Sequence, residues 1–253
     1  MKREYLCILL FPLFLLLFSC ATQTEIIEEG MDADILLAKL TAYNASIYSI
    51  QANAIVMYTD GDKTYSFSAM IVVDRDGQDM RLDLSDFVFK KPILTIVKSG
   101  GDIIALIHTQ KKYYTTNFKD FRIEELTDLQ LKKELLLPAL MGKVYVASKH
   151  SSMTSPDAET LIIEHEDHRE TVSFNEEWLP VSAEYTYGKD VYSMNLQSFI
   201  QTGGVYFPGK VVLVNENRQL KATYKEVQVN EAVESRIFNV DEKEFAGYMH
   251  ITL

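Results

Sequence analysis

The chain contains very little cysteine, and this limits how its fold can be held together. Its 253 residues include two cysteines, Cys7 and Cys20. Cys7 lies inside an N-terminal apolar run that we expect to be removed, which leaves a single thiol in the remainder. A framework of disulfide bonds is therefore excluded. The fold must depend on a hydrophobic core, and a chain of this length can bury a sizeable one.

Positive charge is also scarce. The chain has 25 Lys and Arg against 36 Asp and Glu, a formal net charge of −11. Proteins that bind nucleic acids cluster basic residues against the phosphates, and proteins that adhere to anionic lipid surfaces do the same. The acidic balance argues against both classes. We expect no nucleic-acid partner, and membrane contact only through acyl chains or apolar loops.

Common catalytic motifs are missing as well. The sequence has no Gly-x-Ser-x-Gly elbow, no phosphate-binding glycine loop and no His-Glu-x-x-His helix. One pattern suggests a metal: His165 and His168 flank a predicted turn in the segment His-Glu-Asp-His. Zinc sites use three or four protein ligands, and no third ligand is apparent here. We interpret the segment as a solvated polar turn, with a metal site as the alternative, and we expect no catalytic residue, metal, cofactor or enzyme activity.

The N-terminus has the three zones of a secretion signal. Lys2 and Arg3 provide a positive start, and an apolar run from Leu6 to Phe18 ends in Ser19-Cys20. The run of about 13 residues is shorter than the roughly 20 that a membrane-spanning helix needs. We therefore predict that residues 1–19 form a cleaved signal peptide.

The tetrad Leu17-Phe18-Ser19-Cys20 resembles the lipobox of bacterial lipoproteins. The resemblance implies a diacylglyceryl thioether on Cys20, with a further acyl chain such as palmitate on the new amine. Residues 20–33 would then be the lipidated N-terminus and a polar tether. Ala21 stands where an Asp would have suggested inner-membrane retention, so the resemblance implies a lipid-anchored protein of the outer membrane that faces the periplasm. The alternative is an ordinary cleaved signal in which Cys20 has no role.

Hydrophobic periodicity predicts the secondary structure of the remainder. Residues 34–43 have helical spacing, with Asp32 or Asp34 as the cap. Alternation of period two then runs from residue 48 to residue 115, broken by turn signals such as Asp60-Gly61. This pattern is typical of an antiparallel meander with one apolar face and one polar face.

A second helix and a second set of strands follow. Residues 124–142 favour a helix that Pro138 divides or kinks and Gly142 ends. Further strands are predicted between residues 143 and 229, beginning with 143–148, and residues 151–157 are predicted to be a loop; the tail 237–253 is a candidate edge strand. We predict a single mainly-β domain with helices (α+β) over residues 34–253: a strongly curved antiparallel half-barrel of about ten strands, its open side plugged by the mid-chain helix and the N-terminal helix.

Four stretches resemble the LolA/LolB superfamily of lipoprotein carriers, including LolB-like outer-membrane lipoproteins. They are 81–86 (RLDLSD) followed by 91–94 (KPIL), 135–142 (LLLPALMG), 207–213 (FPGKVVL), and 220–229 with Asn230. The resemblance covers most of residues 34–240. It implies non-covalent binding of the acyl chains of lipoproteins or lipids in an apolar cavity, without a cofactor. It also implies a receptor in lipoprotein localisation, with a soluble periplasmic carrier as a candidate partner, and we expect a monomer.

The resemblance and the periodicity together suggest which residues contact a lipid. One set would form the cavity wall, with an ordinary protein core as the alternative. LolB uses an exposed apolar loop residue to touch the membrane, and Phe89 or Ile93 could do so here, with a buried strand end as the alternative. A structural or interaction lipoprotein without a cavity is the competing function, and a hydrolase is a third. The wall candidates are Tyr65, Phe67, Leu82, Leu84, Leu136, Leu140, Tyr192 and Met194.

Overall fold

The structure is a computed structural model that describes residues 32–74, 77–122 and 132–251. Over these ranges the chain forms one sheet of fourteen strands, two α-helices and two short 3₁₀ helices. The predicted signal peptide, Cys20 and most of the tether lie outside the described residues, as does the first part of the predicted mid-chain helix. Among the helices of the described ranges, none is long and apolar enough to cross a membrane.

One α-helix precedes the strands, and the other separates two sets of them. Both 3₁₀ helices follow the thirteenth strand. In chain order the elements are α1 (Ala33–Ser46), β1 (Ile50–Asp60), β2 (Lys63–Asp74), β3 (Asp79–Asp86), β4 (Pro92–Ser99), β5 (Asp102–Ile107), β6 (Lys112–Asn117), α2 (Lys133–Leu140), β7 (Ser152–Asp157), β8 (Thr160–Glu164), β9 (Arg169–Phe174), β10 (Pro180–Tyr187), β11 (Asp190–Thr202), β12 (Val205–Asn215), β13 (Arg218–Val229), the 3₁₀ helices Ser235–Phe238 and Glu242–Phe245, and β14 (Met249–His250).

The sheet is a long meander whose two halves join between the first and the thirteenth strand. Its order is β14-β6-β5-β4-β3-β2-β1-β13-β12-β11-β10-β9-β8-β7, and it is antiparallel except where β14 runs parallel to β6. The mainly-β class with one large, curved, unclosed sheet is confirmed. The predicted count of about ten strands is too low, because short strands such as β7 and β14 contain little apolar alternation.

The chain between α2 and β8 differs from the prediction. Residues 143–148, predicted as a strand, are irregular, while the predicted loop 151–157 contains strand β7. The irregular segment binds its backbone groups to side chains instead of to a neighbouring strand. The side-chain amide of Asn44 donates to the carbonyl of Val144 at 2.7 Å and accepts from its N–H at 3.1 Å. The N–H of Ala147 donates to Glu170 at 3.0 Å. Strand β7 is polar and mostly exposed, so it lacked the hydrophobic signal of a strand.

One end of each helix lies where the sequence indicates. Asp32 caps α1 by accepting a hydrogen bond from the N–H of Asp34 at 3.0 Å. Helix α2 ends at Leu140, and Gly142 follows with φ +70°. This left-handed conformation favours glycine, and the N–H of Lys143 then turns back to the carbonyl of Pro138 at 2.9 Å. The prediction that Gly142 stops the helix is confirmed.

The core lies on one face of the sheet. The buried side chains of that face, which we call the apolar face, form one hydrophobic cluster with Leu36, Leu40 and Tyr43 of α1 and with the buried side of α2. On the other face, the outer face, the segment that follows β13 covers a smaller cluster built around Val72, Val97 and Phe238. The segment ends beside β6 as the two-residue strand β14, so the predicted edge strand in the tail is present.

Candidate functional site

The predicted wall residues of the strands share the apolar face. Strand register decides this, because residues directly opposite each other in an antiparallel pair point to the same side. Each of the six lies opposite an apolar residue of the hydrophobic cluster or of the buried core. The pairs are Tyr65–Tyr58, Phe67–Val56, Leu82–Ile71, Leu84–Ala69, Tyr192–Tyr185 and Met194–Ala183.

The wall residues differ in how far neighbouring side chains cover them. Leu82, Tyr192 and Met194 are 1–7 % exposed and Leu84 is half-buried. Towards the tip of the β1–β2 hairpin the face becomes accessible, because Phe67 is half-buried and Tyr65 is 47 % exposed. The apolar face therefore combines a covered interior with an open aromatic end.

Helix α2 lies against this face and is fixed there by tyrosine hydroxyls. Leu136 and Leu140 are buried in the same hydrophobic cluster as the sheet residues. The hydroxyl of Tyr224 on β13 donates to the carbonyl of Leu140 at 2.8 Å, and that of Tyr43 on α1 donates to Gly142 at 2.7 Å. Burial raises the pKa of both phenols well above its ordinary value, so they remain neutral donors.

The loop that joins β3 to β4 is an exposed apolar turn. Asp86 accepts from the N–H groups of Val88 and Phe89 at 2.9 and 2.6 Å and so holds the loop tip. Val88 and Phe89 are 72 % and 75 % exposed, and Ile93 packs against the hydrophobic cluster. The ammonium group of Lys91 lies 5.9 Å from the ring centre of Phe89. The loop thus presents apolar side chains next to positive charge.

Two depressions among the described residues lie on the outer face. One of about 460 Å³ extends from Asn53 and Met70 to Phe87 and Lys90, and one of about 530 Å³ lies beside Ile237. Neither is lined by a predicted wall residue. The covered wall residues instead pack against each other and against the helices.

A polar cluster interrupts the apolar face at the β8–β9 hairpin. His165 and His168 close the turn, and their rings stack with centres 4.1 Å apart. Glu170, on β9, is in phase with the buried residues Val172 and Phe174, and its side chain is fully buried. Its Oε1 lies 3.3 Å from Nε2 of His165 and 3.0 Å from Nε2 of His168. The sequence indicated the two histidines, whereas Glu170 is the third ligand-type residue that was missed.

A second polar network connects the outer face to the C-terminal segment. Thr95 donates to Asp83 at 2.5 Å and contacts Nε2 of His108 at 3.0 Å, while Nδ1 of His108 lies 2.9 Å from the hydroxyl of Tyr248. Since Thr95 donates to the carboxylate, it accepts from Nε2–H, and Tyr248 then donates to Nδ1. Burial lowers the pKa of His108, opposed by the charge of Asp83, which agrees with a neutral ring.

Comparison with solved structures identifies proteins that share this fold. A LolA superfamily protein from Nitrosomonas europaea aligns with a TM-score of 0.56 over 83 % of this chain and 98 % of its own, at 12 % identity. A structure described as an outer-membrane lipoprotein-sorting protein domain, from Vibrio parahaemolyticus, aligns with a TM-score of 0.54. The alignment covers 85 % of this chain and 99 % of the other, at 9 % identity. This chain has a LolA/LolB-like fold.

Other comparisons limit what the fold alone establishes. A DUF1329 family protein from Desulfovibrio piger aligns with a TM-score of 0.54 over 82 % of this chain and 95 % of its own, at 13 % identity. No protein-family model and no curated protein sequence matches the chain. The LolA/LolB-like fold is therefore established by structural likeness, and the function has to be argued from the site.

Proposed function

We propose that this protein is a lipid-anchored envelope protein that binds the acyl chains of lipoproteins or lipids between the apolar face and α2, as a receptor or carrier in outer-membrane lipoprotein localisation. The observation that carries the proposal is the apolar face itself, an extended hydrophobic surface on a LolA/LolB-like sheet that ends in the exposed Tyr65. The domain over residues 34–253 would act as one unit, with α1 and α2 closing the open side of the sheet.

The energetic reason for such a site is the cost of exposing an acyl chain to water. Each methylene contributes about 0.8 kcal/mol, so a chain of a dozen methylenes would cost on the order of 10 kcal/mol. Because Leu136 and Leu140 now cover part of the face, a bound acyl chain would have to replace their contacts. We propose that α2 shifts outward and that the aromatic end at Tyr65 and Phe67 is where the chain first makes contact.

Lipid anchoring at Cys20 would keep the protein at the membrane, so that acyl chains are exchanged there and a soluble periplasmic carrier delivers them. Two or more acyl chains hold a protein stably, whereas one holds it marginally. The exposed Phe89 and Val88, next to Lys91, suit contact with the interface of a bilayer. No catalytic step is part of this proposal.

A photoreactive fatty acid tests the proposal in the full lipidated protein. After illumination in membranes, we expect adducts on peptides of the apolar face, around Phe67 and Tyr192. Phe67→Asp should abolish them, whereas Ser66→Asp should leave them intact, because the adjacent Ser66 points to the outer face. Adducts that are absent, or that are equally frequent on the outer face, would contradict the proposal.

The close packing of the face favours a second candidate, a structural or interaction lipoprotein that binds no lipid. Leu82, Leu136 and Met194 are 1–6 % exposed, as in an ordinary core. This candidate predicts no adducts in the same experiment. It also predicts that Phe67→Asp changes only the stability of the protein and not its labelling by the fatty acid.

A further inference from the structure

The two histidines at the β8–β9 turn face the buried carboxylate of Glu170, and their hydrogen bonds indicate which ring nitrogens carry protons. Nδ1 of His165 contacts the carbonyl of Lys149, and a carbonyl can only accept, so this nitrogen carries a proton. Nδ1 of His168 lies 2.7 Å from the carboxylate of Asp167 and carries a proton for the same reason. In the neutral form of both rings, each Nε2 therefore presents a lone pair.

The two lone pairs lie close to a third acceptor, the carboxylate of Glu170, in a buried position. The side chains of His165, His168 and Glu170 are 3 %, 7 % and 0 % exposed. Nε2 of His165 and Oε2 of Glu170 are buried without a hydrogen-bond partner. Oε1 of Glu170 already accepts from the N–H of Ala147 at 3.0 Å. With both rings neutral, three acceptors converge here and repel one another, and one backbone N–H compensates a buried carboxylate only in part.

The spacing of the three ligand atoms fits a transition-metal ion. In a tetrahedral zinc site with bonds of 2.0–2.2 Å, two ligand atoms lie about 3.3 Å apart. The distances from Oε1 of Glu170 to the two Nε2 atoms are 3.0 and 3.3 Å, and all three atoms lie within 4.8 Å of one another. Among the described residues, this is the one place where the ligand atoms of three histidine, cysteine or carboxylate side chains come this close together.

The surroundings of the histidines also match a metal site. A metal-bound histidine usually donates its other ring N–H to a carboxylate or a backbone carbonyl, which fixes the tautomer and the ring orientation. Here both kinds of partner are present, the carboxylate of Asp167 for His168 and the carbonyl of Lys149 for His165. We propose that His165, His168 and Glu170 bind one divalent zinc ion.

Binding would require a small rearrangement of the rings. The two imidazoles stack at an angle of 4°, and His168 also stacks on Tyr187 at 4.6 Å. Because an ion lies close to the plane of each imidazole that binds it, one ring has to tilt out of the stack. The zinc ion would then join the β8–β9 hairpin to the irregular segment 143–149, whose backbone already contacts His165 and Glu170. This site is independent of the proposed acyl-chain binding.

Zinc binding by the full lipidated protein, purified in detergent and stripped with a chelator, tests the proposal. Titration calorimetry with zinc chloride, together with elemental analysis, should give one ion per chain. Thermal unfolding should show a higher melting temperature when zinc is bound. His168→Gln should weaken binding at least tenfold. If that variant does not fold, the exposed Asp167 provides a milder test: Asp167→Asn should weaken binding about tenfold, as the loss of an outer partner does.

Matched controls separate this site from adventitious binding. Glu166→Gln removes the exposed carboxylate next to Asp167, and His150→Gln removes an exposed imidazole; both should leave the affinity unchanged. Equal zinc affinity in the wild type, His168→Gln and Asp167→Asn would overturn the proposal. So would the absence of zinc binding by the wild type, which would mean that a proton is the cation between these side chains.

Discussion

Tyr43 of α1 and Gly142, which follows α2, are 99 positions apart in the chain and share a buried hydrogen bond of 2.7 Å from the tyrosine hydroxyl to the glycine carbonyl. This bond joins the ends of the two helices over the apolar face. Tyr43→Phe would leave the buried carbonyl without this donor, and we expect the free energy of unfolding in urea to fall by about 1–3 kcal/mol. Tyr48→Phe removes an exposed hydroxyl that donates to Asn230 at 3.0 Å and should cost less. Equal losses would mean that burial does not determine the strength of this bond.

Gly142 itself meets two independent constraints. Its φ of +70° disfavours residues with a side chain, and a Cβ at this position would lie 2.8 Å from Pro208 and 2.9 Å from Phe207. Gly142→Ala should therefore destabilise the protein by more than about 2 kcal/mol, measured by denaturant unfolding. Gly188→Ala is the matched control, because Gly188 has φ +62° but open space around it. It should cost about 1 kcal/mol, and a similar value for both variants would rule out the steric contribution.

His108 should make the stability of the protein depend on pH. Burial lowers the pKa of the folded-state imidazole, opposed by the charges of Asp83 and Glu244 and assisted by that of Arg81. The unfolded chain therefore takes up a proton near the ordinary value of about 6.5, before the folded chain does. Stability should be independent of this group above that pH and should decrease as the pH falls from there to the lower folded-state value.

Urea unfolding of the wild type and of His108→Gln at several pH values checks this dependence. The stability of the variant should decrease less on acidification, because the glutamine that then lies beside Tyr248 does not titrate. His150→Gln, which removes an exposed histidine, should retain the wild-type profile. A steeper decrease in His108→Gln than in the wild type would contradict the assignment.

Phe89 should report whether the β3–β4 loop touches a bilayer. In the lipid-anchored protein reconstituted into vesicles with brominated lipids, Phe89→Trp should show tryptophan fluorescence that is quenched several-fold more than that of Tyr206→Trp. Tyr206 is a suitable comparison because it is an exposed aromatic residue, 47 % accessible, on strand β12 and not in this loop. Equal quenching at the two positions would exclude specific contact through this loop.

Cys20 can be tested against the other cysteine of the chain. Cys20→Ser should prevent lipidation, so that the protein appears in the soluble fraction of disrupted cells and lacks the mass of the acyl chains. Cys7→Ser lies within the predicted signal peptide and should leave membrane attachment and mass unchanged. Membrane attachment of Cys20→Ser would mean that an apolar surface, and not the anchor, holds the protein.

Local pattern was sufficient for most of the sheet. Alternation located the hairpins, although the β1–β2 turn lies at Gly61-Asp62, one residue beyond the predicted Asp60-Gly61, with Asp60 opposite Lys63. It failed for residues 143–148, where apolar residues suggested a strand. The backbone there is satisfied by Asn44 and Glu170, which are distant in the chain, and such contacts leave no trace in a local pattern.

The candidate sites were predictable to different degrees. The shared face of residues such as Leu82 and Met194 follows from period two, but their degree of cover depends on where the helices lie, which alternation does not encode. Glu170 was missed although a signal existed. In the run Arg-Glu-Thr-Val-Ser-Phe it is in phase with Val172 and Phe174, so a carboxylate stands at a core position of the strand. A charge in that phase, two residues after a histidine, is a reason to look for a cation.

An unclosed sheet of this width has two edges at which another chain could add a strand. One edge is β7, which is short and polar, contains Pro156 and has an irregular register between Thr154 and Asp157. At the other edge, β14 occupies part of β6 as a parallel strand of two residues. Neither edge offers a long, regular row of free backbone groups, and short, irregular edges of this kind oppose polymerisation. Many copies could therefore lie close together without assembling into fibres.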